Sequence, residues 1–230
     1  MQKCIKLLVF FSLVALAFSV KAASEWGPNT PGVALTISQT ESGTYTLKGK
    51  NLPRTLSYTL WIKTFNGVFP AYDQEFYVDY SGELKSRGEW PILLKNLQIN
   101  VPFNDFLDGE PLEFGLISTD DSVQAIAKIT PNPIADEDRG CSFSMELAAA
   151  DGISFIAKGA GFIPGERVEV VSKSAHEVVN SSFVVPDSGS FIGTVLPSVS
   201  GVETALASHT MKASHCEISV DYRWRDLNYR

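Results

Sequence analysis

The chain has 230 residues with 26 acidic against 19 basic side chains, a net charge of −7 that repels phosphate backbones and excludes nucleic acid as an expected partner. Its apolar fraction of 44% is that of a globular protein, and the length suits two domains, each large enough for its own core. Helical periodicity is hard to find, while β-branched and aromatic runs broken by Gly, Pro, Asn, Asp and Ser dominate, so the expected class is all-β.

Residues 1–22 read as a signal peptide. Lys3 and Lys6 precede an apolar run from Leu7 to Val20, interrupted by Ser12 and Ser19, and Val20-Lys21-Ala22 fits a small-residue cleavage site. The competing reading is an N-terminal anchor, but this run is shorter than the roughly 18–20 residues that span a bilayer. Cys4 lies before the run, where it cannot serve as a lipoprotein cysteine. Cleavage before Ala23 removes Lys3, Lys6 and Lys21 and no acid, so Lys+Arg falls from 19 to 16 and the net charge becomes −10. No later segment is apolar enough to span, which predicts a protein exported to the periplasm or the cell exterior with no membrane span after cleavage.

Residues 23–33 read as an extended leader, because Pro28 and Pro31 deny regular structure. Leu35 and Ile37 alternate with polar neighbours as a first strand, and Tyr45 and Leu47 begin a second that ends at Lys48-Gly49. Leu56, Tyr58, Leu60 and Ile62 share one face of a third strand, leaving Ser57, Thr59, Trp61 and Lys63 on the other. Phe76, Val78 and Tyr80 alternate up to a Ser81-Gly82 turn. Further strands are expected over Pro91 to Val101, Leu112 to Ile117 and Val123 to Ile129. About seven strands in a hundred residues is the count of an immunoglobulin-like sandwich.

Thr130 to Gly140 carries Pro131, Pro133 and the acidic triplet Asp136, Glu137 and Asp138. It reads as a linker, with domain 1 over 23–135 and domain 2 over 136–230. The second half repeats the pattern of the first. Cys141, Phe143, Met145 and Leu147 share a face, and Ile153 and Phe155 lead into Lys158-Gly159. Strands are expected over Val168 to Ser172, Val178 to Val185, Ser190 to Leu196 and His209 to Ala213, and from Cys216 to Tyr222. Lys48-Gly49 and Lys158-Gly159 are 110 residues apart, and turns ending at Gly82 and Gly189 follow them by 33 and 30 residues. A period of this length indicates two tandem immunoglobulin-like β-sandwich domains after the signal peptide.

Gly159-Ala160-Gly161-Phe162-Ile163-Pro164-Gly165-Glu166, followed by alternating valines, resembles the early strand-turn-strand of bacterial Ig-like domains, including the IPT/TIG type. The first copy departs from it, with Asn51-Leu52-Pro53-Arg54 in the same place. The resemblance implies a non-enzymatic binding or spacer module and transfers no functional residue.

Cys141 and Cys216, the two cysteines of the mature chain, each lie on the apolar face of a terminal strand of domain 2. In an exported domain that pattern invites a disulfide, the alternative being two buried free thiols. Catalytic signatures are missing. Gly159-x-Gly161 is followed by Pro164 and a valine strand where a nucleotide loop needs a helix, and His176-Glu177-Val178-Val179-Asn180 lacks the second histidine of a zincin. His209 and His215 with Cys216 would make a poor metal set, since Cys216 is claimed by Cys141. No enzyme and no cofactor are expected.

Two binding readings remain beside a protein partner. Asp136, Glu137 and Asp138 could hold Ca²⁺ at the linker, the competing reading being a solvated acidic connection. Trp61, Phe69, Tyr72 and Trp90, if exposed together, would form a platform for a sugar ring, the competing reading being core burial. The expected function is a non-catalytic binding or structural module for a protein partner, with carbohydrate binding through domain 1 as the alternative.

Overall fold

The computed structural model describes residues 26–41, 43–101 and 106–225, and the signal segment read at 1–22 lies outside them. The regular secondary structure of the described chain is almost entirely antiparallel β-sheet. Its first half contains β1 (Ala34–Glu41), β2 (Thr44–Lys50), β3 (Ser57–Thr64), β4 (Gly67–Pro70), β5 (Phe76–Val78), β6 (Leu84–Ser86), β7 (Ile99–Asn100), β8 (Leu112–Ser118) and β9 (Gln124–Ile129). The second half contains β10 (Ile134–Asp138), β11 (Cys141–Leu147), β12 (Phe155–Ala160), β13 (Arg167–Ser174), β14 (Glu177–Val184), β15 (Phe191–Val195), β16 (Ala205–Lys212) and β17 (Glu217–Trp224).

Each half is a sandwich of two sheets. In the first, β1-β2-β7 faces β6-β5-β3-β8-β9, with β4 added to β3; in the second, β10-β11-β12-β15 faces β14-β13-β16-β17. When β4, β6 and β10 are set aside, the two strand orders coincide: three strands face four, the immunoglobulin-like arrangement with an extra strand beside the central pair. Side-chain alternation produces this layering. Along β17, Ile218, Val220, Tyr222 and Trp224 are buried while Glu217, Ser219, Asp221 and Arg223 alternate with them. One apolar cluster draws on residues from Leu35 to Ala127 and a second from Leu107 to Trp224. Leu107 is buried in the second cluster and Phe65 packs against it, so the halves touch through side chains supplied by the first.

The glycines of the repeat have a packing reason. A Cβ on Gly49 would sit 2.4 Å from Leu52 and 2.6 Å from Leu84, and one on Gly159 would sit 2.2 Å from the Phe191 ring. Leu84 and Phe191 lie two residues beyond the corresponding Gly82 and Gly189 turns, so the same inward side chain crosses the same bare backbone in both halves.

Two expected elements come out differently. Pro91 to Val101 is not a continuous strand: Leu93 makes an isolated bridge with Lys85, Leu94–Asn96 form a single 3-10 turn that buries Leu94, and Ile99–Asn100 pair with β2. The stretch read as a linker contains β10, which pairs with β11 from Ile134↔Met145 to Asp138↔Cys141. The acids do not prevent pairing there because β10 is an edge strand whose polar side chains have solvent and a neighbouring strand to meet.

Cys141 and Cys216 form a disulfide with a Cα–Cα distance of 6.4 Å, joining the start of β11 to the residue before β17. Closing a loop of 75 residues' separation stabilises the second half by about 4 kcal/mol on a chain-entropy basis.

Candidate functional site: the open edge of β14

An edge strand presents a row of backbone N–H and C=O groups that can pair with another chain, and folded proteins blunt such edges. Here most edges are blunted in identifiable ways. The outer edge of β9 is covered by the segment before β1: Gln124 N–H donates to Thr30 Oγ1 at 3.0 Å, Ile126 N–H to Asn29 Oδ1 at 2.6 Å, and Thr30 N–H to the Gln124 carbonyl at 2.9 Å. The outer edge of β17 is closed by carboxylates. Its alternate amides at Glu217, Ser219 and Arg223 donate to Asp138 Oδ2 (2.9 Å), Asp136 Oδ2 (3.0 Å) and Asp108 Oδ2 (2.7 Å). β1 is broken by an irregularity between Gln39 and Glu41, and β6 and β7 are three and two residues long.

β14 differs from all of these. It runs eight residues, pairs with β13 in unbroken register from Ser174↔Glu177 to Arg167↔Val184, and exposes every residue except the half-buried Phe183. It contains no proline, and its single charge, Glu177, stands at its first position. Val178, Val179 and Val184 are 58%, 55% and 56% exposed. Among the described residues no hydrogen bond closes its outer side.

Beside β14 a groove of about 290 Å³ opens between the two sheets, walled by Val179, Val195, Leu196, Pro197 and Val199. Ser172 and His209 line its floor. His209 Nδ1 lies 2.7 Å from Ser172 Oγ and its Nε2 2.9 Å from the Tyr222 hydroxyl. A serine beside a histidine is a combination that local sequence did not nominate, and the fold creates it by pairing β13 with β16 (Ser172↔His209). Among the described residues, the group behind the ring is the Tyr222 hydroxyl and not a carboxylate. Burial lowers the His209 pKa and raises that of Tyr222, so the imidazole is a neutral bridge between two hydroxyls. A nucleophile's base needs a group that steadies its charged form, and a buried tyrosine hydroxyl does not supply one.

The aromatic set read from the sequence is dispersed. Trp61 registers with Pro70 and with Gly115, whereas Phe69 registers with Ile62, so Trp61 and Phe69 face opposite sides of the β3–β4 ladder. Trp61 is half-buried; Phe69 is 50% and Trp90 84% exposed, the latter in the loop after β6. Tyr72 packs against the first core, 5.9 Å from the Phe76 ring.

The acidic triplet lies on β10, where Asp136 and Asp138 turn toward β17 and Glu137 alternates to the exposed side. Asp136 and Asp138 thus share one side and Glu137 points away, so the three carboxylates do not converge on one point. Asp138 is held below the usual carboxylate range by its hydrogen bonds with Arg139 and the Glu217 amide. Among the described residues, the metal-donor types that converge are Cys141, His215 and Cys216, and two of these are joined as the disulfide.

The Gly159–Glu166 stretch supports the disulfide corner. Glu166 accepts from the Ile163 amide (2.8 Å) and from the Ser214 amide and hydroxyl (3.1 and 2.7 Å), bonds that hold its carboxyl low and dock the turn beside Cys216.

No family model and no curated protein matches this chain. Among solved structures it is similar to a tetra-tandem repeat in the extending region of a large adhesion protein, at 12% identity and a TM-score of 0.27, over 84% of this chain and 48% of that one. This chain thus spans about half the length of that repeat array. It is also similar to the chicken interferon gamma receptor alpha chain, at 9% identity and a TM-score of 0.25, over 86% of this chain and 99% of that one.

Proposed function

We propose that this chain is an exported, non-catalytic binding module made of two Ig-like domains of the IPT/TIG kind, and that its partner is a protein adding an extended segment to β14. One observation carries the reading. Of the two edges of the β14-β13-β16-β17 sheet, β17 is closed by three carboxylates while β14 is long, regular and open, with exposed valines toward both ends. Strand addition takes affinity from backbone hydrogen bonds and specificity from pockets for alternate side chains. The groove beside Val179 and Leu196 offers such a pocket. Export is supported by the Cys141–Cys216 disulfide, which persists in oxidising compartments.

The test uses random peptides displayed on phage, panned against the purified protein and against the doubly substituted Val178→Lys/Val184→Lys protein. Enrichment of alternating apolar peptides by the first and not by the second supports edge docking. Equal enrichment by both, or none by either when the wild type is monomeric, overturns it.

A further inference from the structure

We infer that the strand occupying β14 is the β14 of a second copy of this chain, paired antiparallel across a two-fold axis at Ser181; this rests on the edge-docking reading above. Residues 178–184 read Val-Val-Asn-Ser-Ser-Phe-Val, two apolar, three polar, two apolar, a pattern that is the same in both directions about Ser181. Such a pattern is what self-pairing of an antiparallel strand demands, because an isologous contact sets each residue against its mirror position.

The faces agree as well. A two-fold axis perpendicular to a sheet keeps each face on its own side, so residues that oppose one another must share a face. Val178, Asn180, Ser182 and Val184 lie on one face of β14, and Val179, Ser181 and Phe183 on the other. An axis through Ser181 sets Val178 of one copy opposite Val184 of the other, Val179 opposite Phe183, Asn180 opposite Ser182, and Ser181 opposite itself. Every apolar side chain meets an apolar one, including the three valines that stand more than half exposed. Moving the axis to Asn180 sets Val178 against Ser182, Val179 against Ser181 and Glu177 against Phe183, and every apolar pair is lost.

Charge does not oppose the contact. Glu177 is the only charge on the strand and falls outside the matched span, so the two copies of it stand at opposite ends of the pair. Arg167, on β13, donates to Ser182 Oγ at 2.7 Å and so leans over β14 toward the open edge. In the paired form this cation lies beside Asn180 of the other copy, an acceptor for its remaining N–H groups.

Sedimentation equilibrium on the purified protein tests the inference, using the wild type, Val178→Lys/Val184→Lys, Val178→Glu/Val184→Glu, and an equimolar mixture of the two variants. The wild type should form a reversible dimer. Each variant alone should dissociate at least about tenfold more readily, since like charges then oppose one another twice. The mixture should regain a dimer, because each introduced ammonium faces an introduced carboxylate, and that recovery also shows both variants to be folded. A wild type monomeric up to about 200 µM, where the small area of one strand pair is still measurable, overturns the inference. So does a dimer that both substitutions leave unchanged. If the wild type is monomeric yet enriches peptides in the display test, self-pairing alone falls; if it is monomeric and enriches none, edge docking falls with it.

Discussion

Asn51 and Gly161 occupy the same position in the two halves, and both have positive φ, 57° and 81°. Each follows the strand carrying the Lys-Gly pair and precedes an apolar residue, Leu52 or Phe162, that packs onto its own core. The position demands the left-handed region, which glycine enters freely and asparagine more readily than most residues. Their tolerance differs, because a Cβ on Gly161 would stand 1.9 Å from the Gly140 carbonyl oxygen. Gly161→Ala should therefore cost more than about 2 kcal/mol, with backbone displacement added to φ strain. Asn51→Gly should cost only about 1 kcal/mol, chiefly the bond from Asn51 Nδ2 to the Gly32 carbonyl at 2.8 Å. Chemical denaturation of both variants reads this asymmetry, and equal costs would contradict it.

The pH dependence of stability should have two separate windows. His209 is buried between Ser172 and Tyr222, and burial depresses its pKa below the ordinary 6.5. A group depressed on folding contributes stability that is fully present above its unfolded pKa and is lost as pH falls toward the folded value. Melting temperature should thus begin to fall below about pH 6.5, and His209→Gln should remove that part of the decline. Asp79, Asp120, Asp138 and Glu166 are also depressed, each mainly by hydrogen bonds to its charged form, but from ordinary values near 4. Their contribution should be lost only below about pH 4, in wild type and His209→Gln alike. Melts in matched buffers from pH 3 to 8 distinguish the two windows.

Closing β17 with carboxylates has a consequence for solubility. In the Asp136→Ala/Asp138→Ala protein the Glu217 and Ser219 amides lose their acceptors, and a second regular edge becomes available. Light scattering should show this variant aggregating at lower concentration or temperature than the wild type, through an association that Val178→Lys/Val184→Lys does not relieve. If the β14 substitutions do relieve it, the carboxylates are not guarding β17.

The sequence made much of this legible where a residue's local pattern determines its environment. Cys141 and Cys216 sit on the apolar faces of their alternations, and those faces meet in one core, so the disulfide could be read in advance. Lys48-Gly49 and Lys158-Gly159 were readable as a repeat because both lie under an inward side chain, Leu84 or Phe191. What could not be read depends on which strand lies beside which. Trp61 and Phe69 stand eight residues apart in one aromatic-rich stretch, but the β3–β4 register sets them on opposite faces. Asp136 and Asp138 had the composition of a solvated connection, and their role appears only once β10 lies next to β17. β14 is the clearest instance: a strand is expected over Val178 to Val185, but its local pattern does not reveal whether that strand has one neighbour or two.

Oxidative cross-linking of the Ser181→Cys protein tests the self-paired edge most directly. Opposed Cα atoms in an antiparallel pair lie about 4.5–5.5 Å apart, within disulfide range, and only the two-fold axis at residue 181 sets that position against itself. A covalent dimer is expected under mild oxidation, suppressed by adding Val178→Lys/Val184→Lys, and none from Ser219→Cys on the closed β17 edge. Equal cross-linking at both positions, or a Ser181→Cys protein that stays monomeric, would contradict it.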